Sequence, residues 1–157
     1  MDVFSRTFLP ATAEAGLSIP TVSRHLPVLR RCVTTEDVTL LVSRCHRLDR
    51  SATGTHLLLI TNRSFVVTRE SRLLRRVHLH LASDLRYLSD VMWTAYPRLF
   101  ALEFSATVVD GERERFWIRA HHPRRLSRLE SLLGNVFHTQ VVAAAAKPRL
   151  FDPALAG

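Results

Sequence analysis

The spacing of apolar residues changes several times along the chain, and each change marks an element. The densest stretch runs from His56 to Leu81, HLLLITNRSFVVTRESRLLRRVHLHL. Apolar runs at 57–60 and 65–67 flank the polar corner Thr61-Asn62-Arg63-Ser64. A third segment, 73–81, sets Val77, Leu79 and Leu81 against Arg76, His78 and His80. Runs of this length between turn formers predict three strands of an antiparallel meander. Residues 38–45 predict a strand ahead of them, followed by a loop of turn formers at 46–55.

Later segments extend the same pattern. Residues 85–93 predict a fifth strand of weak alternation, with Asp84 as the alternative start of a helical turn. In 99–109, Phe100, Leu102, Phe104, Ala106 and Val108 share one face. Asp110-Gly111 then signals a hairpin turn. The seventh strand, 113–120, puts Phe116 and Ile118 inside and Arg115, Trp117 and Arg119 outside. Pro123 suits a first helical turn, and Leu126, Leu129, Leu133 and Val136 or Phe137 form an amphipathic stripe. Upstream, 1–16 shows no clear period and reads as a mobile arm. In LSIPTVSRHLPVLRRCV, Ser18 is an N-cap, and Ile19, Val22, Leu26, Leu29 and Val33 keep helical spacing, with Pro27 set to kink or restart the helix.

The expected fold is mainly β within the α+β class. It is a seven-stranded antiparallel barrel or sandwich, capped by a C-terminal amphipathic helix and preceded by an N-terminal helix. Residues 1–34 form the arm and helix, 35–137 the domain, and 138–157 a mobile tail. A cap burying four or five large side chains, at about 1.5–3 kcal/mol each, is essential to stability.

Composition adds a bias towards acidic partners. Apolar residues are 46% and charged residues 23%, as in a folded domain, but the formal net charge is +8 and Lys147 is the only lysine among 22 basic residues. Two cysteines make no disulfide framework and read as reduced, largely buried thiols. There is no basic and apolar leader, and the longest apolar stretch, 141–146, is too short to span a bilayer. The expectation is a cytoplasmic protein, compatible with a peripheral place at the membrane.

The arrangement resembles the pleckstrin-homology (PH) fold, specifically its bacterial PH-like branch. The residues that carry the resemblance are the hairpin LLLITNRSFVV and the stretch LRRVHLHLASDL, within a match over 35–137. The tryptophan of the eukaryotic C-terminal helix does not occur between Pro123 and Phe137, which leaves the bacterial branch. The resemblance implies a non-catalytic binding or adaptor module without a cofactor. Its partner would be a protein, with an anionic lipid surface, nucleic acid and self-association as further possibilities. Some relatives hold inositol phosphates with basic residues on the first two strands and their loop, where Arg44, Arg47 and Arg50 stand here.

The remaining candidates follow from residue chemistry. Arg69, Arg72, Arg75 and Arg76 cluster at one hairpin end and, with Arg47 and Arg50, are candidates for binding an anion or an acidic partner. Trp117 between Arg115 and Arg119 suits a protein-binding hot spot. His78 and His80, two apart on a strand, would need a third zinc ligand from His121, His122 or Cys45. Without a supporting motif no metal site is assigned. The alternative function is DNA-binding regulation. Residues 11–33 are similar to the turn and recognition helix of helix-turn-helix repressors, with Thr21, Ser23, Arg24 and His25 facing the groove. No phosphate loop, dinucleotide fingerprint or nucleophile elbow occurs, so no enzyme is expected.

Overall fold

The computed structural model describes residues 1–48 and 54–137. The expected tail from 138, and Arg50 in the first loop, lie outside the described residues. The strands are β1 (Thr39–Arg47), β2 (Thr55–Thr61), β3 (Ser64–Glu70), β4 (Val77–Asp84), β5 (Ser89–Tyr96), β6 (Ala101–Thr107) and β7 (Arg113–Arg119). They form one antiparallel sheet in the order β4-β3-β2-β1-β7-β6-β5. The sheet divides at β1. Its residues from Thr39 to Cys45 pair with β2, whereas only His46 and Arg47 pair with β7, at Trp117 and Phe116. A four-stranded and a three-stranded meander therefore face each other in the sandwich expected for this chain.

The space between them is filled by alternate residues of each strand. Leu41, Cys45, Leu58, Ile60, Phe65 and Val67 meet Leu102, Phe104, Ala106, Phe116 and Ile118. The Phe65 ring stacks on Phe104 at 5.5 Å between centroids. The C-terminal helix α3 (Pro123–Val136) closes this core with Leu126, Leu129, Leu133 and Phe137, as the apolar stripe requires. His122 caps it, its Nδ1 accepting the Arg124 N–H at 3.1 Å.

The polar corner between β2 and β3 fixes the register. Thr61 Oγ1 accepts the N–H groups of Arg63 and Ser64 at 3.1 and 2.9 Å. Asn62 exchanges two bonds with Val38, so the start of β1 is pinned to the same corner.

The N-terminal segment is ordered, which corrects the expectation of a mobile arm. Residues Val3–Glu14 form a helix, α1, capped by Asp2. Its buried positions are Phe4, Ser5, Phe8 and Thr12, in which the i, i+4, i+8 series Phe4, Phe8 and Thr12 is hidden from a hydrophobicity pattern by its polar third member. Thr12 enters the interface because its hydroxyl donates to the Leu9 carbonyl at 2.7 Å. The second helix, α2 (Ile19–Arg30), runs through Pro27 as one element. Pro27 and Ser23, whose carbonyl loses its helical partner, are both exposed, so water can serve that carbonyl. Ile19 is also exposed rather than part of the buried stripe.

These two helices lie on the outer face of the four-stranded sheet. Phe4, Phe8, Val22 and Leu29 pack on Val42, Leu57, Leu59 and Val66. Strands β2 and β3 are therefore apolar on both faces, which is why their sequences read as runs rather than alternations. The helices are tied to their surroundings at each end. Arg30 bonds the capping carboxylate of Asp2 at 3.2 Å, and Glu14 accepts from Arg125 and Arg128 of α3.

Three other strand limits differ from the sequence expectation. Strand β4 starts at Val77, leaving Leu73 and Leu74 on the preceding turn. Asp84 caps a 3-10 turn, Leu85–Tyr87, which delays β5 to Ser89. Phe100 is exposed instead of inward, because the turn Pro97–Leu99 leaves it left-handed at φ 47° and β6 begins after it.

Two histidines are among the polar side chains buried within these layers. His25 of α2 is fully buried, its Nδ1 2.7 Å from Thr68 Oγ1 on β3. His56 of β2 is buried with its ring 5.7 Å from that of His80. Burial, then the nearby charges of His80, Arg47, Arg69 and His46, lower the His56 pKa from 6.5 to about 4. Burial also lowers that of His25, against the pull of Glu70.

Two stability measurements follow. Phe8→Ala should cost about 3–5 kcal/mol in urea unfolding, much as removal of a core leucine does. A loss below about 1 kcal/mol would place α1 outside the cooperative unit. The second concerns pH. Between about 4 and 6.5 the unfolded chain binds the His56 proton and the folded chain does not. The stabilisation is thus complete above about pH 6.5 and is lost as pH falls towards 4, by at most about 3 kcal/mol from this group. His56→Gln should flatten that slope, and an unchanged slope would remove His56 as its source.

Candidate functional site

Strand and turn geometry sorts the candidate arginines into separate environments. Arg47, near the end of β1, is half-buried, with Nη2 3.5 Å from Glu114 Oε2 of β7. His80 Nε2 lies 3.4 Å from the same oxygen. Glu114 is buried, so these partners offset the cost of desolvating its charge. Arg69 is exposed on β3, in register with His56 and His78 on the adjacent strands. Arg47 and Arg69 thus belong to a polar cluster at one end of the sandwich interior.

Arg72 and Arg75 stand elsewhere. Residues 71–76 close a tight turn, with Ser71 N–H donating to the Arg76 carbonyl at 2.9 Å and Arg75 N–H to the Ser71 carbonyl at 3.0 Å. Arg75 adopts φ 49° to make it. This turn rises beside the N-terminal half of α2 and forms a pocket of about 270 Å³ with it. The pocket is lined by Arg24, Arg44, Arg72, Arg75, Glu70 and Ser71, together with Thr21 and Thr55. Four guanidiniums face one carboxylate. Glu70 pairs with Arg24 Nε, and its other oxygen is 3.7 Å from His25 Nε2. Among the described residues Arg44, Arg72 and Arg75 have no ion-pair partner. Arg76 is exposed at the foot of the turn, its N–H held by Ser71 Oγ at 3.3 Å.

The same geometry corrects the helix-turn-helix expectation. Thr21 and His25 are buried on the face of α2 that meets the sheet, and Arg24 is held by Glu70. Of the four groove residues expected, Ser23 alone is exposed. A helix whose contact face is already packed cannot lay that face in a major groove.

A second feature occupies the outer face of the three-stranded sheet, which neither N-terminal helix covers. Trp117 of β7 lies half-buried with its ring 5.3 Å from that of Tyr96. The Tyr96 hydroxyl donates to Glu103 Oε2 at 3.3 Å, and Arg115 Nε donates to Glu103 Oε1 at 3.1 Å. Beside them Leu99, Phe100, Trp117, Arg119 and His121 line a hollow of about 310 Å³. Phe100 and His121 both have positive φ, 47° and 63°, uncommon outside glycine and costly for a bulky side chain such as Phe100. The Ala120 N–H donates to the Phe100 carbonyl at 2.6 Å and holds the two segments together.

The zinc-ligand candidates stay apart. His80 turns to Glu114, His122 caps α3, and Cys45 is buried in the core with its thiol pushed up by desolvation. Among the described residues no three metal-ligating groups converge. Cys32 and Cys45 are both free thiols, Cys32 half-buried. No helix among the described residues is long and apolar enough to cross a membrane.

The sequence placed Arg44 with Arg47 and Arg50 on the first strands but apart from the hairpin-end arginines, and left Leu99 and Phe100 out of the tryptophan face. Alternation in β1 was the available signal for Arg44, which shares a face with Val42. Nothing local announced Phe100, because its exposure depends on a left-handed residue that is not glycine.

No protein-family model matches this chain, and no curated protein matches it. Among solved structures, it is similar to the C-terminal domain of an unknown protein from Leishmania infantum. There the TM-score is 0.44 at 16% identity, over 76% of this chain and 99% of that one. It is also similar to human RhoA in complex with the DH/PH fragment of PDZRHOGEF. That match has a TM-score of 0.42 at 12% identity, over 82% of this chain and 36% of that one.

Proposed function

We propose that this chain is a non-catalytic binding module on a PH-like scaffold, and that its partner is a protein docking on the outer face of β5–β7 around Trp117. The observation that carries this reading is the hollow beside Trp117. It combines a tryptophan, exposed Leu99 and Phe100, and two residues held in left-handed conformations. Strained backbone and exposed aromatic surface both oppose folding stability, and their coincidence is expected where a partner supplies compensation. Arg119 and His121 on the same rim favour a partner with acidic groups around an apolar centre.

The absence of catalysis in this reading is supported by the state of the reactive groups. Cys45 is buried with a raised pKa, an inert thiol. Buried Glu114 is held between Arg47 and His80.

The test compares partners recovered from the native cell by wild-type chain and by Trp117→Ala, with each chain's thermal unfolding as control. A specific protein should be retained by the wild type and weakened about 30-fold or more by the substitution, the scale of an aromatic hot spot. Equal recovery by both chains would remove the Trp117 face from the function.

A further inference from the structure

We propose that Ser71 is a phosphorylation site, and that the arginine pocket between the β3–β4 turn and α2 is the receptor for its phosphoryl group. The site is separate from the Trp117 face and stands whether or not that face binds a protein. Ser71 directly follows β3 and opens the turn. It is half-buried, while the five residues after it, Arg72 to Arg76, are all exposed. A modifying enzyme therefore meets a protruding loop. Thr21 and Thr55 are the other hydroxyls lining the pocket, and neither offers such access. Thr21 is buried with its Oγ1 2.9 Å from Ser18 Oγ, and Thr55 is paired with Glu70 in the sheet. Ser71 Oγ accepts the Arg76 N–H at 3.3 Å, a long bond that a phosphoryl oxygen can take over.

The charges of the pocket are out of balance. Arg24 of α2, Arg44 of β1, and Arg72 and Arg75 of the turn line it, with Glu70 as the one carboxylate. Glu70 pairs with Arg24, which leaves three guanidiniums in the same recess without an ion-pair partner among the described residues. A phosphoserine carries a charge of about −2 and three strong acceptor oxygens, close to what three cations lack. Guanidiniums take phosphate oxygens through paired N–H donors. Glu70 is the like charge nearby, and its pairing with Arg24 offsets the repulsion. The phosphoryl group also arrives attached to the pocket wall, so its capture is intramolecular and needs no free ligand.

The reaction is transfer of the γ-phosphoryl group of ATP by a protein kinase. An O–P bond forms at Ser71 Oγ, the bond to the bridging oxygen of the β-phosphate breaks, ADP leaves and the hydroxyl proton is released. Arg69 and Arg72 on either side of the acceptor suit a kinase with an acidic substrate cleft. The product ties three elements together, because the turn, β1 and α2 each supply an arginine to the pocket. It also removes most of the uncompensated charge at this end of the hairpin. The modification is thus a switch on the order and the charge of the turn.

Two measurements on the full chain test the assignment. The first uses chain with phosphoserine incorporated at position 71 through an expanded genetic code. Its phosphorus NMR titration midpoint should lie about one unit or more below the value of about 6 for free phosphoserine, because neighbouring cations favour the dianion. Arg44→Gln with Arg72→Gln should return the midpoint to that value. The phosphorylated chain should also melt about 4 °C or more above the unmodified one, and the same two substitutions should abolish the difference. An undisplaced midpoint would overturn the receptor role of the arginines, as would a phosphorylated chain that melts at the same temperature or lower. The second measurement is mass spectrometry of chain recovered from its native cell with phosphatases inhibited, which should locate phosphate on Ser71. Native chain phosphorylated elsewhere, or not at all, would overturn Ser71 as a modification site.

Discussion

Strands β2 and β3 have to be covered on two sides, and the rest of the molecule is arranged to meet that requirement. Leu58, Ile60, Phe65 and Val67 face the sandwich interior, while Leu57, Leu59 and Val66 face outward. A central strand pair of this kind would expose a broad apolar surface if either cover were missing. The interior cover comes from the three-stranded meander and α3. The outer cover is α1 and α2, which makes the N-terminal helices part of the hydrophobic structure. Glu14, bound by Arg125 and Arg128, joins the two covers across the edge of the sheet.

That arrangement narrows where the protein can meet anything else. The outer face of the four-stranded sheet is occupied, and the interior is filled with side chains. Sheet surface stays uncovered on the outer face of β5–β7 and at the ends of the hairpins. Charge is distributed accordingly. Arg47 is spent on a buried carboxylate, Arg125 on Glu14 and a backbone carbonyl of β1, and Arg30 on a helix cap. Arg44, Arg72 and Arg75 are left at a hairpin end, and a strained aromatic edge is left on the smaller sheet. The raw excess of positive charge is thus a poor guide to function until each arginine's partner is known.

Much of the scaffold could be read from residue patterns. The meanders, the Asp110-Gly111 turn and the stripe of α3 all depend on local periodicity, which a single chain displays. The same runs held unused information. Four apolar residues in succession at 57–60 cannot all face one side of a strand, and so they require an outer cover. That requirement points to the N-terminal segment, whose own pattern was concealed by Thr12 and Pro10. The candidate sites were less legible because they depend on non-local juxtaposition. Arg24 and Arg72 are far apart in the chain, and only the docking of α2 on β3 brings them into one pocket. The resemblance of 11–33 to a recognition helix had a similar cause. A short helix after a turn shows similar residue spacing whether one of its faces meets DNA or a sheet.

Gly54 gives the pocket an unexpected sensitivity. Its φ is 123°, and a Cβ there would lie 2.3 Å from the Glu70 carbonyl oxygen, so even alanine would force the end of β3 to move. Glu70 is the residue that holds Arg24 and faces His25 on α2. A methyl group added at the start of β2 would therefore be felt by a helix it never touches. It would loosen the seat of α2 and the shape of the arginine pocket together, so position 54 limits variation in both.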